Sequence, residues 1–364
     1  MATPAAEVDA GGRPVRVSSP DRVIYEATEH TAEVSKLQVV EYYAAVEDGI
    51  MRALRDRPTA LERWPKGVRE GMKLATGYAD RDADAFYQKR MMKGAPEYVE
   101  SATVTFPSGR TAEEMCPTEV AVPAWAAQMG AITFHPWPCR RDDNEHPDEL
   151  RIDLDPQPGT DFTDAARVAL VARELIDDLG LVGFPKTSGN RGVHVYVRIE
   201  PRWDFVDVRH AAIAFGRELE RRTPEVTTAW WKEERGERIF VDYNQNSRDR
   251  TIASAYSLRP KPGAPVSTPV HWDELPEVGD PARFNLFTVP DRLRDQGDAM
   301  AAIDDVQCSL QPLLDLWEEQ VAAGLGELNY PPDYPKMPGE PPRVQPSKKV
   351  AAHWDEHGNR IEGT

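Results

Sequence analysis

The stretch Glu149-Leu150-Arg151-Ile152-Asp153-Leu154-Asp155-Pro156 constrains this chain more than any other. Leu150, Ile152 and Leu154 alternate with Arg151, Asp153 and Asp155, the period of a half-buried strand, and Pro156 and Gly159 end it. Spacing i, i+2 projects both carboxylates from one face. Two like charges held close repel unless a cation lies between them. Hard divalent ions such as Mg²⁺ or Mn²⁺ take oxygen ligands and leave positions open for water and phosphate oxygens. A merely polar strand face has the same pattern, so the pair alone decides nothing. A third aspartate, Asp242 in Ile239-Phe240-Val241-Asp242-Tyr243, ends another apolar strand and repeats the arrangement.

Alternation returns at Val193, Val195, Val197 and Ile199. A helix is predicted from a cap at Thr163 or Asp164, through Val168, Val171, Leu175 and Ile176, to a stop at Gly180. Helical spacing also runs across Lys36–Leu54 and Ala211–Arg222. Strands interleaved with helices predict a mixed α/β (α+β) fold: a sheet bearing the three aspartates, packed with an N-terminal α/β portion. Residues 1–14, rich in Ala, Gly and Pro, are expected to be disordered, and residues 15–330 to form the catalytic domain. Residues 331–364 read as a tail whose seven prolines between Pro331 and Pro346 exclude a helix.

Cys116, Cys139 and Cys308 form no paired motif, which suits a reducing compartment and excludes a disulfide scaffold. No apolar run approaches the ~20 residues a bilayer requires, and Met1–Arg13 lacks the pattern of a signal peptide. A cytoplasmic, nucleoid-associated protein is the expectation. The net charge of −17 disfavours a nucleic-acid partner, but its distribution is uneven. Arg52–Lys93 carries a net +5, whereas Asp273–Asp333 carries a net −11.

The segment Lys186-Thr187-Ser188-Gly189-Asn190-Arg191-Gly192-Val193-His194-Val195-Tyr196 is a glycine-bearing loop running into a strand. Its glycines let backbone N–H groups approach an anion, Ser188 offers a hydroxyl and Arg191 a fork suited to phosphate. His194 lies on the strand directly after the loop, where it is either a structural histidine or a ligand to what the loop holds. Further cations, Arg248, Arg250, Arg259 and Lys261, follow Asp242 and suit a polyphosphate. The phosphate loop of the common nucleotide-triphosphatase fold is absent.

Together, Asp153-Leu154-Asp155, Ser188-Gly189-x-x-Gly192-x-His194-x-Tyr196 and Phe240-Val241-Asp242-Tyr243-x-Gln245-Asn246 resemble motifs I, II and III of the archaeo-eukaryotic primase superfamily. More closely, the chain resembles the polymerase domain of bacterial ligase D, over residues 16–325. Phe86-Tyr87-Gln88-Lys89-Arg90, Phe134-His135-Pro136-Trp137 and Tyr256-Ser257-Leu258-Arg259 also match. The resemblance implies template-directed nucleotidyl transfer with two Mn²⁺ or Mg²⁺ ions on Asp153, Asp155 and Asp242, and a preference for ribonucleotides. It assigns nucleoside triphosphate contacts to His135, Ser188, Gly189, Arg191, His194, Arg235, Arg259 and Lys261, and template stacking to Phe86 and Tyr87.

Ser19, Arg22 and Lys36 would grip a 5′-phosphate at the edge of a gap. Here the chain departs from the family. Arg22 replaces the usual Lys, Ser19 stands where Asn is common, Glu26–Ser35 is longer and more acidic, and Arg191 replaces a frequent Lys. The implied partners are gapped or primer-template DNA, nucleoside triphosphates, and a separate ligase or end-binding protein, because no ligase module is expected in 364 residues. Short-gap filling in excision repair and non-homologous end joining are both open. Two other readings compete: a metal-dependent nuclease using the same carboxylates, and a non-catalytic protein that binds gap ends.

Overall fold

In the computed structural model, which describes residues 5–75, 82–107 and 109–329, the chain begins with an antiparallel hairpin of β1 (Ala5–Ala10) and β2 (Arg13–Ser18). This corrects the expected disorder of the N-terminal residues for 5–14. Val8, Ala10, Val15 and Val17 are buried, and Gly11 and Gly12, both at positive φ, make the two-residue turn. Ala/Gly/Pro composition masked a short period-two pattern. The proline-rich tail, 331–364, lies outside the described residues.

A short ladder of β3 (Val23–Tyr25) and β4 (Val34–Ser35) leads into α1 (Lys36–Ala45), which starts at a reciprocal capping box of Ser35 and Gln38. The single helix expected over Lys36–Leu54 is two. It breaks at Val46, and α2 (Glu47–Leu54) begins on Glu47 and Asp48, acids suited to a helix N-terminus. Gly49 in α2 lies directly against the Tyr256 ring, where a Cβ would sit 2.2 Å from ring carbon. β5 (Thr59–Arg63) pairs antiparallel with β6 (Phe86–Gln88) and, on its other edge, with β9 (Ala131–Pro136). The hairpin of β7 (Ser101–Thr105) and β8 (Thr111–Met115) joins β5 at Thr59, and α3 (Ala121–Gln128) packs on α1.

The second sheet has β10 (Glu149–Pro156) at its centre. Around it stand β11 (Gly183–Thr187), β12 (Val193–Arg198), β13 (Val226–Thr227) and β14 (Ile239–Val241), in the order β11-β12-β10-β14-β13. All neighbours are antiparallel except β13 and β14. α4 (Phe162–Asp178) and α5 (Phe205–Arg222) pack against β10 and each other. α4 is capped by Asp161, just ahead of the predicted Thr163 or Asp164. α5 begins six residues before Ala211, because Asp204 caps it and buried Phe205 and Val208 extend its apolar face. The short α6 (Lys232–Arg235), α7 (Val289–Gln296) and α8 (Gln311–Ala322) complete the helices. Among the described residues no helix is long and apolar enough to cross a membrane.

One continuous apolar core runs from Val8 to Leu313 through both sheets. Three buried tyrosines close the seam between the halves. Tyr42 donates to Tyr256 O (2.8 Å), Tyr25 to Arg259 O (3.0 Å), and Tyr43 accepts from the Leu258 N–H (3.1 Å). A buried ionic cluster spans the same seam. Arg57 pairs with Asp148 and Glu149, which Arg198 also holds, and Arg151 pairs with Glu149. These cations hold the Asp148 carboxyl below its usual range despite its burial. Removing one partner strands buried charge at the start of β10. Arg57→Ala is therefore expected to destabilise the fold by about 3–5 kcal/mol, read as a lower urea midpoint.

Candidate active site

Sheet register brings the three aspartates together. In β10, Asp153 lies opposite His194 of β12, and Asp155 opposite Phe240 of β14. The chain leaving β14 then returns the Asp242 N–H to Asp153 O (3.0 Å). Asp242 is held by its own 3₁₀ turn: its carboxylate accepts from the Asn244 N–H (3.1 Å) and Gln245 Nε2 (3.0 Å). Loss of water is the first cause that raises the Asp153 carboxyl well above its ordinary value; the charges of Asp242 and Asp155 add to it, and Lys186 and Arg259 oppose it. Asp155 and Asp242 are raised as well, chiefly by desolvation. Asp153, with the like charges of Asp155 and Asp242 beside it, makes a hard-oxygen donor set, and a divalent cation would relieve the repulsion on Asp153. Among the described residues no three acidic, His or Cys side chains already close on a single point.

The glycine loop lies beside them. Ser188 Oγ accepts from the N–H groups of Asn190 (3.2 Å) and Gly192 (3.0 Å), which leaves its hydroxyl hydrogen free to donate. Gly189 has φ +72°, and a Cβ there would reach 2.5 Å from Arg259 Cγ. At Gly192 a Cβ would meet Leu154 O at 2.8 Å, so only glycine lets the loop press onto β10. The seam tyrosines fix the Arg259 backbone, while its buried Nε has no hydrogen-bond partner among the described residues. A buried guanidinium nitrogen without a partner is a ready anion donor. Arg191 and Lys261 are exposed and line one cleft of about 380 Å³ behind the loop. Arg235 is buried and fully engaged: it donates to Ala229 O, Trp230 O and Gln157, and lies 3.5 Å from the Phe240 ring centre. It therefore stands as a fixed positive charge beside Asp155 and Asp242.

Two buried residues that were not singled out from the sequence complete the centre. Lys186 Nζ bonds His194 Nδ1 (2.8 Å) and Ser267 Oγ, which turns His194 Nε2 toward Asp153 Oδ1 (3.4 Å). Glu62 accepts from Trp64 Nε1 (3.0 Å) and faces His135 Nε2 (3.4 Å). The signal for both was a charged residue on the buried face of a strand.

Phe86 and Tyr87 lie on opposite faces of β6. Successive strand residues face opposite ways. Tyr87 is 42% exposed with its ring in a T-shaped contact with His135, whereas half-buried Phe86 lies under Arg63.

Ser19, Arg22 and Lys36 do converge. The Arg22 N–H donates to Ser19 O, and the Lys36 N–H to Arg22 O (2.7 Å). Ser19 has φ +52°, a left-handed conformation that Asn adopts more readily than Ser. Lys36 Nζ donates to Ser18 O, Ser18 Oγ and Gln128 Oε1. Burial, with Arg22 nearby, lowers its pKa to about 8.

Asp153 and Asp155 on the central strand, Asp242 just after its neighbour, the glycine loop and Arg259 lie together, and comparisons with known proteins place the chain among nucleotidyltransferases of the primase-polymerase type. A family model described as the LigD primase-polymerase domain matches residues 35–300. The chain belongs to that family. It is 33% identical to the multifunctional non-homologous end joining protein LigD of Mycolicibacterium smegmatis, over 80% of this chain and 36% of that protein. It is 34% identical to the LigD of Pseudomonas aeruginosa, over 77% of this chain and 31% of that protein. The chain thus spans about a third of the curated relatives it matches. A solved structure, the polymerase domain of Mycobacterium tuberculosis ligase D in complex with DNA, superposes with a TM-score of 0.68 at 30% identity, covering 81% of this chain and 99% of that one.

Proposed function

We propose that this protein extends a primer 3′-end across short gaps in DNA, using nucleoside triphosphates, in break repair of the end-joining type. The observation that carries this reading is the cluster of Asp153, Asp155 and Asp242 beside an unpartnered Arg259 nitrogen. Asp153, Asp155 and Asp242 would hold Mn²⁺ or Mg²⁺, which when bound supplies charge for the phosphates and a lower pKa for the attacking hydroxyl. The protein's own groups do the rest. Arg259, Ser188, Gly189, Arg191 and Lys261 bind the triphosphate, and Arg235 biases the local field from beside the carboxylates. Lys186 orients His194 toward the same phosphates, and Glu62 orients His135 toward the nucleotide. A ribonucleotide preference belongs to the same reading.

Tyr87 offers its exposed face to a template base, a contact indifferent to sequence. Phe86, on the other face of β6 beneath Arg63, would meet the template from that side. Arg22, Lys36 and the Ser19 turn take the 5′-phosphate at the far side of the gap. There Lys36 exchanges a neutral oxygen of Ser18 or Gln128 for a charged one.

The test is a labelled, 5′-phosphorylated gapped duplex incubated with Mn²⁺ and either ribo- or deoxynucleoside triphosphates. Extension supports the proposal, shortening indicates a nuclease, and retention without turnover indicates a binding protein. Asp153→Asn is expected to slow extension by about 10³-fold or more while gapped-DNA binding persists; near-normal extension by the folded variant would defeat the metal assignment. The phosphate pocket has its own pH signature. Lys36 is charged below about pH 8 and neutral above it, and phosphate favours the charged form. The affinity advantage of a phosphorylated over an unphosphorylated gap should be full near about pH 7 and shrink by about pH 9.5. An advantage constant across that range would place the pocket elsewhere.

A further inference from the structure

The turn that carries Asp242 is fastened from behind by a segment far along the chain. Asn329 O accepts from Tyr243 Oη (3.1 Å), Asn244 Nδ2 (3.0 Å) and Arg209 Nη2 (3.2 Å). Fully buried Arg209, in α5, also donates from Nε to Asn244 Oδ1 (2.8 Å) and from Nη2 to Leu328 O (2.9 Å). Its remaining nitrogen pairs with Glu327 (2.7 Å), which also pairs with His210, and Arg217 donates to Gly326 O. Both polar ends of the Asn244 side chain are therefore committed, one to Arg209 and one to Asn329. The Asn244 N–H in turn bonds the Asp242 carboxylate. This segment lies beyond residues 35–300 matched by the family model.

We infer that Gly326–Asn329, fastened by Arg209, is a positioning clamp that sets the Asp242 carboxylate for its cation. The inference rests on the metal reading proposed above. Its physical basis is that partners behind a ligand fix the ligand's orientation, and losing them weakens metal affinity about 10–100-fold. A segment that only added packing would lower thermal stability and leave the metal affinity of the folded protein unchanged.

The experiment measures Mn²⁺ binding to the full chain without nucleotide or DNA, by titration calorimetry or the free-ion spin resonance signal. The wild type, Asp242→Asn, and the double variant Glu327→Ala with Tyr243→Phe are compared, with circular dichroism to confirm the fold. The clamp predicts a dissociation constant for Mn²⁺ about tenfold higher in the folded double variant. Extension should then need more Mn²⁺ for half-maximal rate, with the nucleotide KM at saturating Mn²⁺ unchanged. Equal Mn²⁺ affinity in the folded double variant and wild type overturns the clamp. Failure of the wild type to bind Mn²⁺, or unchanged binding by Asp242→Asn, instead overturns the metal reading and the clamp with it. If the double variant folds poorly, Tyr243→Phe alone, which removes a single hydroxyl, decides by the same comparison.

Discussion

The cost of holding Asp153 away from water and beside the charges of Asp155 and Asp242 is the constraint on which the rest of the site depends. A carboxylate largely removed from water is costly unless charge or hydrogen bonds compensate it. Here the compensation from the protein is incomplete: Lys186 and Arg259 pull the Asp153 carboxyl down, yet desolvation and its two acidic neighbours outweigh them. The metal site proposed here would meet that deficit with positive charge that arrives with a ligand. The surrounding groups follow the same logic. Arg235 is spent on protein oxygens and contributes field, whereas Arg259 keeps a buried nitrogen with no partner among the described residues.

The fold supplies rigidity where that balance needs it. β10 carries two of the aspartates between β12 and β14, so their spacing follows from ladder geometry rather than from loops. Arg259 lies outside the sheet on irregular backbone, and the three seam tyrosines replace the missing ladder by binding residues 256–259. The ionic cluster of Arg57, Asp148, Glu149, Arg151 and Arg198 pins the start of β10 to the N-terminal half. Breaking the seam would therefore move Arg259 relative to Asp153 without touching either residue.

Much of this was legible in the sequence because strands have a period of two. The alternation around Asp153 and Asp155, and the apolar run before Asp242, place the carboxylates on strands that the structure sets side by side. The capped helix after Gly159 and the glycine loop were equally readable. Other features were hidden by competing signals. The N-terminal hairpin has a disordered protein's composition, yet Val8, Val15 and Val17 meet α1 and α3. The break at Val46 lies within an unbroken helical period. Lys186 and Glu62 were not singled out, because the tertiary packing that buries them does not show in their own strands. The opposite facing of Phe86 and Tyr87 follows from β6 being a strand, which three residues cannot announce.

The central claim is that the acidic cluster and Arg259 form one receptor, completed by a divalent ion, for a nucleoside triphosphate. Calorimetric titration of a non-hydrolysable nucleoside triphosphate into the full chain, with and without Mn²⁺ and in the absence of DNA, tests it directly. The account predicts affinity about 10²-fold higher with Mn²⁺ than with chelator present. Equal affinity in both conditions would contradict it, because the carboxylates would then have no part in holding the phosphates.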